Sequence, residues 1–154
     1  MEVVRTKTPK LVIERKFEKR IMVLAGIWEM IVGLLTIFIY APFYRREGLD
    51  LIEDGMPLFE AEAINSVFSS VYMFTVSVGI FFVLLGLVNL FLSRKIKHNE
   101  VEKKMPLFLI VIGLASYFVK DFIGAVLLLT AGVMMLAKNK SIIKNKFESG
   151  EENE

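Results

Sequence analysis

The residue with the clearest chemical potential is Glu29, which lies within the apolar stretch LAGIWEMIVGLLTIFIY between Leu24 and Tyr40. A carboxylate in hydrocarbon is costly unless it faces the protein interior, a wet cavity or a partner, and it can be protonated there. Glu29 follows Arg20 by nine residues, or about 13 Å along a helix. We therefore expect it near the bilayer midplane, as the main candidate for a functional polar group.

A partner for Glu29 must lie at a similar depth. Thr130 precedes Lys138 by eight residues, so we predict that it reaches this level and donates a hydrogen bond, as a neighbouring chain also could. Asn89 is expected closer to the cytoplasmic surface. Three roles stay open for Glu29: a protonated group that joins helices, a contact with a partner membrane protein, or a proton- or cation-coupled site.

The elements that position Glu29 follow from composition. Of the 154 residues, 55% are hydrophobic and the mean hydropathy is +0.55, whereas soluble domains are about 45–50% apolar. Four apolar segments cover residues 21–40, 67–92, 105–119 and 122–137. The last two could form one helix, but Lys120 and Asp121 would then lie near the bilayer centre at high cost. We therefore predict a tight helical hairpin there.

Basic residues alternate along the chain. Lys and Arg number 7 in residues 1–20, 2 in 41–66, 5 in 93–104, 1 between the last two segments and 4 in 138–154. Because cytoplasmic segments are enriched in Lys and Arg, this pattern predicts four crossings with both termini in the cytoplasm. The expected fold is an all-α, integral membrane four-helix bundle.

This topology divides the chain into three parts. Residues 1–20 form a basic arm, residues 21–137 the transmembrane domain, and residues 138–154 a cytoplasmic tail; the domain contains an external loop at 41–66 and a cytoplasmic loop at 93–104. Ile13, Phe17 and Ile21 share one helix face, which indicates an amphipathic, interfacial arm. A signal peptide is the competing interpretation of the first segment, but its apolar run is long and no small-residue cleavage site follows.

Glycines mark the expected helix contacts, since small residues let helix backbones approach closely in lipid. The candidates for helix packing are Gly26, Gly33, Gly79, Gly86, Gly124 and Gly132. The stretches GIWEMIVGLLTIF and GIFFVLLGLVNLF align without gaps, so they are either an internal repeat or two similar membrane helices.

Two resemblances concern the helices. AGIWEMIVG resembles the first helix of the small multidrug transporters, whose essential glutamate would correspond to Glu29, although Gly33 falls one residue late and the long acidic loop departs from that family. RKFEKRIMVLAGIWEMIVG and FIGAVLLLTAGVMMLAKNK resemble the first and last helices of small four-pass membrane proteins of Gram-positive bacteria. That resemblance implies a bacterial plasma membrane protein, assigns no activity, and does not include Glu29 in its pattern.

Other chemistry is not indicated. The chain has no Cys and one His, so no metal site or cofactor is predicted, and neither nucleic-acid binding nor an enzymatic activity is expected. The basic stretch RKIKHNEVEKK is interpreted as topology-fixing charge, with anionic lipid or a cytoplasmic partner as the alternative, and His98 within it is expected to have no role. Beyond the lipid bilayer, the expected partner is another membrane protein or a second copy.

We therefore predict a non-enzymatic protein that associates with or modulates another membrane component, in one form an immunity protein against a membrane-active toxin. The alternative is a small proton-coupled transporter or channel subunit that uses Glu29.

Overall fold

A computed structural model describes residues 13–52 and 55–149. These residues are almost entirely helical, and no strand occurs among them. The helices are α1 (Lys16–Leu35), a π-helix (Thr36–Tyr40), α2 (Ala41–Asp50), α3 (Leu58–Lys95), α4 (Lys104–Phe118) and α5 (Phe122–Ser149). The prediction of an all-α chain is confirmed.

Three helical stretches are long and apolar enough to cross a membrane: Lys16–Asp50 with 35 residues, Leu58–Lys95 with 38 and Phe122–Phe147 with 26. The fourth apolar helix, α4, is shorter, with 15 residues. The prediction of apolar, membrane-compatible helices is thus confirmed. Much of their surface is exposed Leu, Ile, Val and Phe, which fits a lipid environment.

The helices run beyond the predicted crossings. Residues 41–66 were predicted to be a loop, but 41–50 and 58–66 are helical and only residues 51–57 separate α2 from α3. Likewise, α5 continues to Ser149 instead of ending at residue 137. Hydropathy marks where a helix leaves hydrocarbon, not where it ends, which explains both differences. The predicted amphipathic arm lies mostly outside the described residues, and from Lys16 onward it is simply the start of α1.

A sharp break separates α4 from α5, as predicted. The N–H of Asp121 donates to the carbonyl of Ser116 at 2.9 Å and the N–H of Lys120 to that of Tyr117 at 3.1 Å. Lys120 has a φ of 64°, so this is a Schellman motif with lysine at the left-handed position that glycine usually takes. Asp121 then caps α5, because its Oδ1 accepts the N–H of Gly124 at 3.0 Å.

The chain divides into two compact units. One comprises residues 1–24 and 92–154 and the other residues 25–91. In the first unit α4 packs on α5: a Cβ at Gly113 would lie 2.9 Å from Leu129, and one at Gly132 would lie 2.8 Å from Ile110. Gly132, one of the predicted packing glycines, and Gly113, which was not among them, both lie at this contact. Gly124 is different, because its nearest neighbour is the Asp121 carboxylate, so it serves the helix cap and not a helix–helix contact.

Candidate functional site

In the second unit, α1 and α3 meet along a glycine seam, defined by the pairs Gly26–Gly86 and Gly33–Gly79. A Cβ on Gly26 would lie 2.8 Å from the carbonyl oxygen of Gly86, and one on Gly86 would lie 2.5 Å from that of Gly26. The second pair is equally reciprocal, with distances of 2.6 and 2.9 Å. Contacts this short exclude any side chain, so all four glycines are required for the close approach of the two helices.

Glu29 lies beside this seam with no exposed surface. Asn89, also fully buried, donates from Nδ2 to Oε2 of Glu29 at 2.7 Å. Thr130, the donor predicted from the sequence, is exposed on α5, and the hydrogen bond to Glu29 that the structure shows comes from Asn89. Counting residues placed Asn89 too close to the surface. Side chains tilt toward the N-terminus of their helix, so on antiparallel helices Glu29 and Asn89 lean toward each other.

The π-helix changes which residues of the chain face α3. Small residues occur at Gly26, Gly33, Ala41 and Gly48, and Ala41 and Gly48 are buried. Their spacing is therefore 7, then 8, then 7 residues. A π turn accommodates one extra residue in a helix, and the five residues Thr36–Tyr40 lie in the interval of eight. The π turn therefore keeps Ala41 and Gly48 on the face that packs on α3. A search for small residues exactly seven apart did not reveal this continuation of the seam.

Beyond the π-helix, α2 and the start of α3 form a paired structure that we call the outer extension (residues 41–52 and 55–66). A Cβ on Gly48 would lie 2.2 Å from the ring of Phe68, so these helices are in tight contact. The guanidinium of Arg45 lies 5.6 Å from the centre of the Tyr72 ring, a cation–π distance. These two contacts fix α2 against α3.

The surface of the outer extension is acidic and apolar. Its exposed acids are Glu47, Asp50, Glu60 and Glu62. Its exposed apolar residues at the end of the hairpin are Leu49, Leu51, Leu58 and Phe59. Leu58 and Phe59 are each 82% exposed, close to the 81% of Phe118 at the end of α4.

In the first unit, a polar cluster surrounds Arg15, which has no exposed surface. Its Nη2 donates to the carbonyl of Glu100 at 2.8 Å and to Oδ1 of Asn139. Asn139 in turn binds Glu102, donating to its carbonyl and accepting its N–H at 3.2 Å. Burial lowers the pKa of Arg15 from its usual value, while the negative charges of Glu18 and Glu102 raise it; arginine is nevertheless charged at neutral pH.

Glu18 and Lys138 form the ion pair of this cluster. Nζ of Lys138 lies 2.8 Å from Oε1 of Glu18 and also donates to the carbonyl of Glu14 at 2.6 Å. Glu18 is fully buried, whereas the Lys138 side chain is 27% exposed. The pair joins α1 to α5, and it was missed from the sequence because Lys138 was counted only as topology-setting charge and Glu18 was assigned no role.

The connection between α3 and α4 is held by the same cluster. Nδ1 of His98 accepts the backbone N–H of Arg15 at 3.0 Å, a group at the start of α1 that no helical carbonyl satisfies. His98 therefore has a structural role that the sequence did not indicate. Among the described residues, no group of three or more His, Cys, Asp or Glu side chains could hold a metal ion.

In one polar site, the amide of Asn89 binds the buried carboxyl group of Glu29; in the other, arginine, asparagine and backbone carbonyls join three segments. Comparisons with protein-family models, with curated proteins and with solved structures give no match, so the function is argued from the chemistry of these residues.

Proposed function

We propose that the chain is an integral protein of the bacterial plasma membrane with four crossings and both termini in the cytoplasm. The Arg15 cluster supports this topology. It brings together the start of α1, the connection between α3 and α4, and residues 138–139 of α5. This contact supports placing the three segments on one side of the membrane, with α1 and α3, and likewise α4 and α5, crossing and returning. Their basic residues favour the cytoplasmic side.

We propose a non-enzymatic role: the protein associates with and modulates another membrane component, in one form as protection against a membrane-active toxin. The observation that carries this role is the outer extension, where apolar side chains and acids are exposed together. Exposed apolar groups outside hydrocarbon mark interaction sites. The topology places this surface outside the cell, where a foreign or neighbouring membrane component would meet it.

The alternative is a transporter or channel subunit that uses Glu29. The hydrogen bond from Asn89 supports the structural role instead, because it ties the carboxyl group to the helix against which α1 packs. A coupled site would exchange protons with water during turnover. Proton flux in proteoliposomes, followed with a pH-sensitive dye, separates the roles: we expect wild type and Glu29→Gln to give equal flux, and a flux lost in Glu29→Gln would establish transport.

The topology is tested by single-cysteine labelling, because the chain contains no cysteine. We expect Glu60→Cys to react with a membrane-impermeant maleimide in intact cells and Lys140→Cys to react only after permeabilisation. Both positions are exposed, so accessibility within the fold is matched. The reverse pattern, or equal labelling of both, would overturn the proposed orientation.

The role is tested by expressing the chain in a sensitive bacterial host and challenging it with membrane-active cationic peptides. Protection predicts an inhibitory peptide concentration raised at least about fourfold relative to a host expressing the variant with Glu47→Gln, Asp50→Asn, Glu60→Gln and Glu62→Gln. Equal sensitivity at equal expression would contradict the protective form of the proposal.

A further inference from the structure

The two helical stretches that end in the outer extension are longer than is needed to cross a membrane. Lys16–Asp50 and Leu58–Lys95, with 35 and 38 residues, measure about 52 and 57 Å at 1.5 Å per residue. The hydrocarbon layer is about 30 Å thick. With the crossings at residues 21–40 and 67–92, residues 41–50 and 58–66 project beyond the other surface by about 15 and 13 Å.

The part of α2 beyond the hydrocarbon layer is held against α3. Gly48 lies against the ring of Phe68, and Arg45 stacks on Tyr72, so α2 follows α3 out of the hydrocarbon layer. Leu58 and Phe59 at its end are therefore kept away from lipid tails while remaining 82% exposed. Such side chains in water favour a protein partner that covers them.

The charge of the outer extension favours one kind of partner over the others. The four exposed acids outnumber the two exposed arginines of the extension, Arg45 and Arg46, so a second copy would bring two surfaces of net negative charge together, which is unfavourable. A metal ion is not favoured, because no metal-binding group occurs among the described residues. An amphipathic, Lys/Arg-rich helix offers both complementary charge for the acids and an apolar face for the leucines, and this is the pattern of peptides that attack membranes.

We infer that the outer extension binds an amphipathic, Lys/Arg-rich helical peptide, with Leu58 and Phe59 against its apolar face and Glu47, Asp50, Glu60 and Glu62 against its basic face. This inference names the partner class for the proposed function and rests on it for the side of the membrane. Helix-in-groove recognition of this kind uses anchors at i, i+3, i+4 and i+7.

The test is binding of a labelled, 18-residue Lys/Leu peptide with helical amphipathic spacing to the full chain in nanodiscs. The lipid is zwitterionic, so that the peptide is not drawn to anionic headgroups. Fluorescence anisotropy should give a micromolar Kd that rises with salt, while a peptide of the same composition in scrambled order should bind at least tenfold more weakly. Equal binding of the two peptides would overturn the inference.

Two variants separate the contributions. The four-acid variant described above should weaken binding at least tenfold and remove the salt dependence, because fewer charges face the peptide. Leu58→Ser with Phe59→Ser should weaken it about fivefold or more and leave the salt dependence in place. The matched control, Leu84→Ser with Phe81→Ser on the lipid-facing part of α3, should bind like wild type. Unchanged binding in both extension variants would refute the site.

The proposed orientation and the proposed peptide-binding site can be refuted independently of each other. Nanodiscs expose both sides of the membrane, so peptide binding there does not depend on orientation. If Glu60→Cys is labelled only from the cytoplasm while the peptide still binds in nanodiscs, the orientation is wrong and the site stands. If the labelling is as expected and neither variant affects binding, the site is wrong and the topology stands.

Discussion

Asn89 donates a 2.7 Å hydrogen bond to Glu29 across 60 residues of chain, and both side chains are fully buried. An amide left without its acceptor in such a place costs about 1–3 kcal/mol. We therefore expect Glu29→Ala to lower the free energy of unfolding by at least this amount, whereas Glu29→Gln, which keeps an acceptor oxygen, should cost less than half as much. The single tryptophan, Trp28, provides the fluorescence signal for unfolding in detergent. Equal losses in both variants would argue against this hydrogen bond as the reason for burying Glu29.

The glycine seam should not tolerate even one methyl group. Gly86→Ala would place a Cβ 2.5 Å from the carbonyl oxygen of Gly26, and because that neighbour is backbone, the helices must separate. Overpacking of this kind costs about 1–3 kcal/mol, which thermal unfolding in detergent should reveal. Ser69→Thr, which adds a methyl group at an exposed position of α3, is the control and should be near neutral. A neutral Gly86→Ala would mean that the helices are not in this close contact.

The ion pair between Glu18 and Lys138 should contribute far more to the free energy of unfolding than the exposed lysines near it. Lys138→Met leaves the buried Glu18 without its counter-ion, and breaking such a pair costs about 2–4 kcal/mol even with Lys138 partly exposed. Lys140→Met, on the exposed face two residues later, should cost less than about 0.5 kcal/mol. Adding Glu18→Gln to Lys138→Met should recover part of the loss. Equal effects of the two lysine variants in chemical denaturation would contradict the burial of this pair.

The turn between α4 and α5 holds a lysine where glycine is usual. Lys120 has a φ of 64°, and the left-handed conformation costs a non-glycine residue about 1 kcal/mol. Lys120→Gly should therefore raise the free energy of unfolding by up to about 1 kcal/mol. The same change at Lys140, within α5, should lower it by about 1 kcal/mol. A loss at both positions would show that Lys120 contributes through its side chain instead.

The π-helix should control which face of α2 meets α3. Because the π turn accommodates one extra residue, deleting Phe38, which is 71% exposed, should convert it to α-helix and keep Gly48 facing α3 at a regular seven-residue spacing. Inserting one alanine after Phe38 should instead rotate α2 by about 100°. A short bismaleimide should therefore join Arg45→Cys to Tyr72→Cys in the full-length chain and in the deletion but not in the insertion, whereas the pair Glu29→Cys with Asn89→Cys, before the π turn, should crosslink in all three. Loss of the first crosslink in the deletion, or its retention in the insertion, would contradict this role of the π turn.

The long apolar helices, the break at Lys120 and Asp121, and most of the packing glycines could be predicted because each has a local signal. Hydropathy marks the lipid-facing segments, adjacent charges mark a hairpin end, and glycines seven apart mark a seam. The outer extension could not be predicted, because α2 is polar and its composition resembles that of a loop. In the structure Gly48 of this helix packs on Phe68, a contact that the one-residue offset of the π turn hides in the sequence.

The polar sites were the hardest to predict. Glu29 was correctly recognised as a buried group, since its position in an apolar stretch is visible in the sequence. The hydrogen-bond donor to Glu29 was not predicted, because choosing Asn89 over Thr130 requires knowing which helices pair and in which direction their side chains tilt. Arg15 was counted only as one of seven basic residues, and nothing local distinguishes it from exposed neighbours such as Lys16.

The glycine seam has one more consequence. In each pair, the hydrogen that replaces the missing side chain points at the carbonyl oxygen of the opposite glycine, as the reciprocal short distances require. That geometry forms Cα–H···O hydrogen bonds, each contributing about 0.5–1 kcal/mol. Lipid tails are as apolar as leucine, so burying leucine there gains little. The attraction between α1 and α3 would then come from their backbones, and changing the acyl chains around them should hardly weaken it.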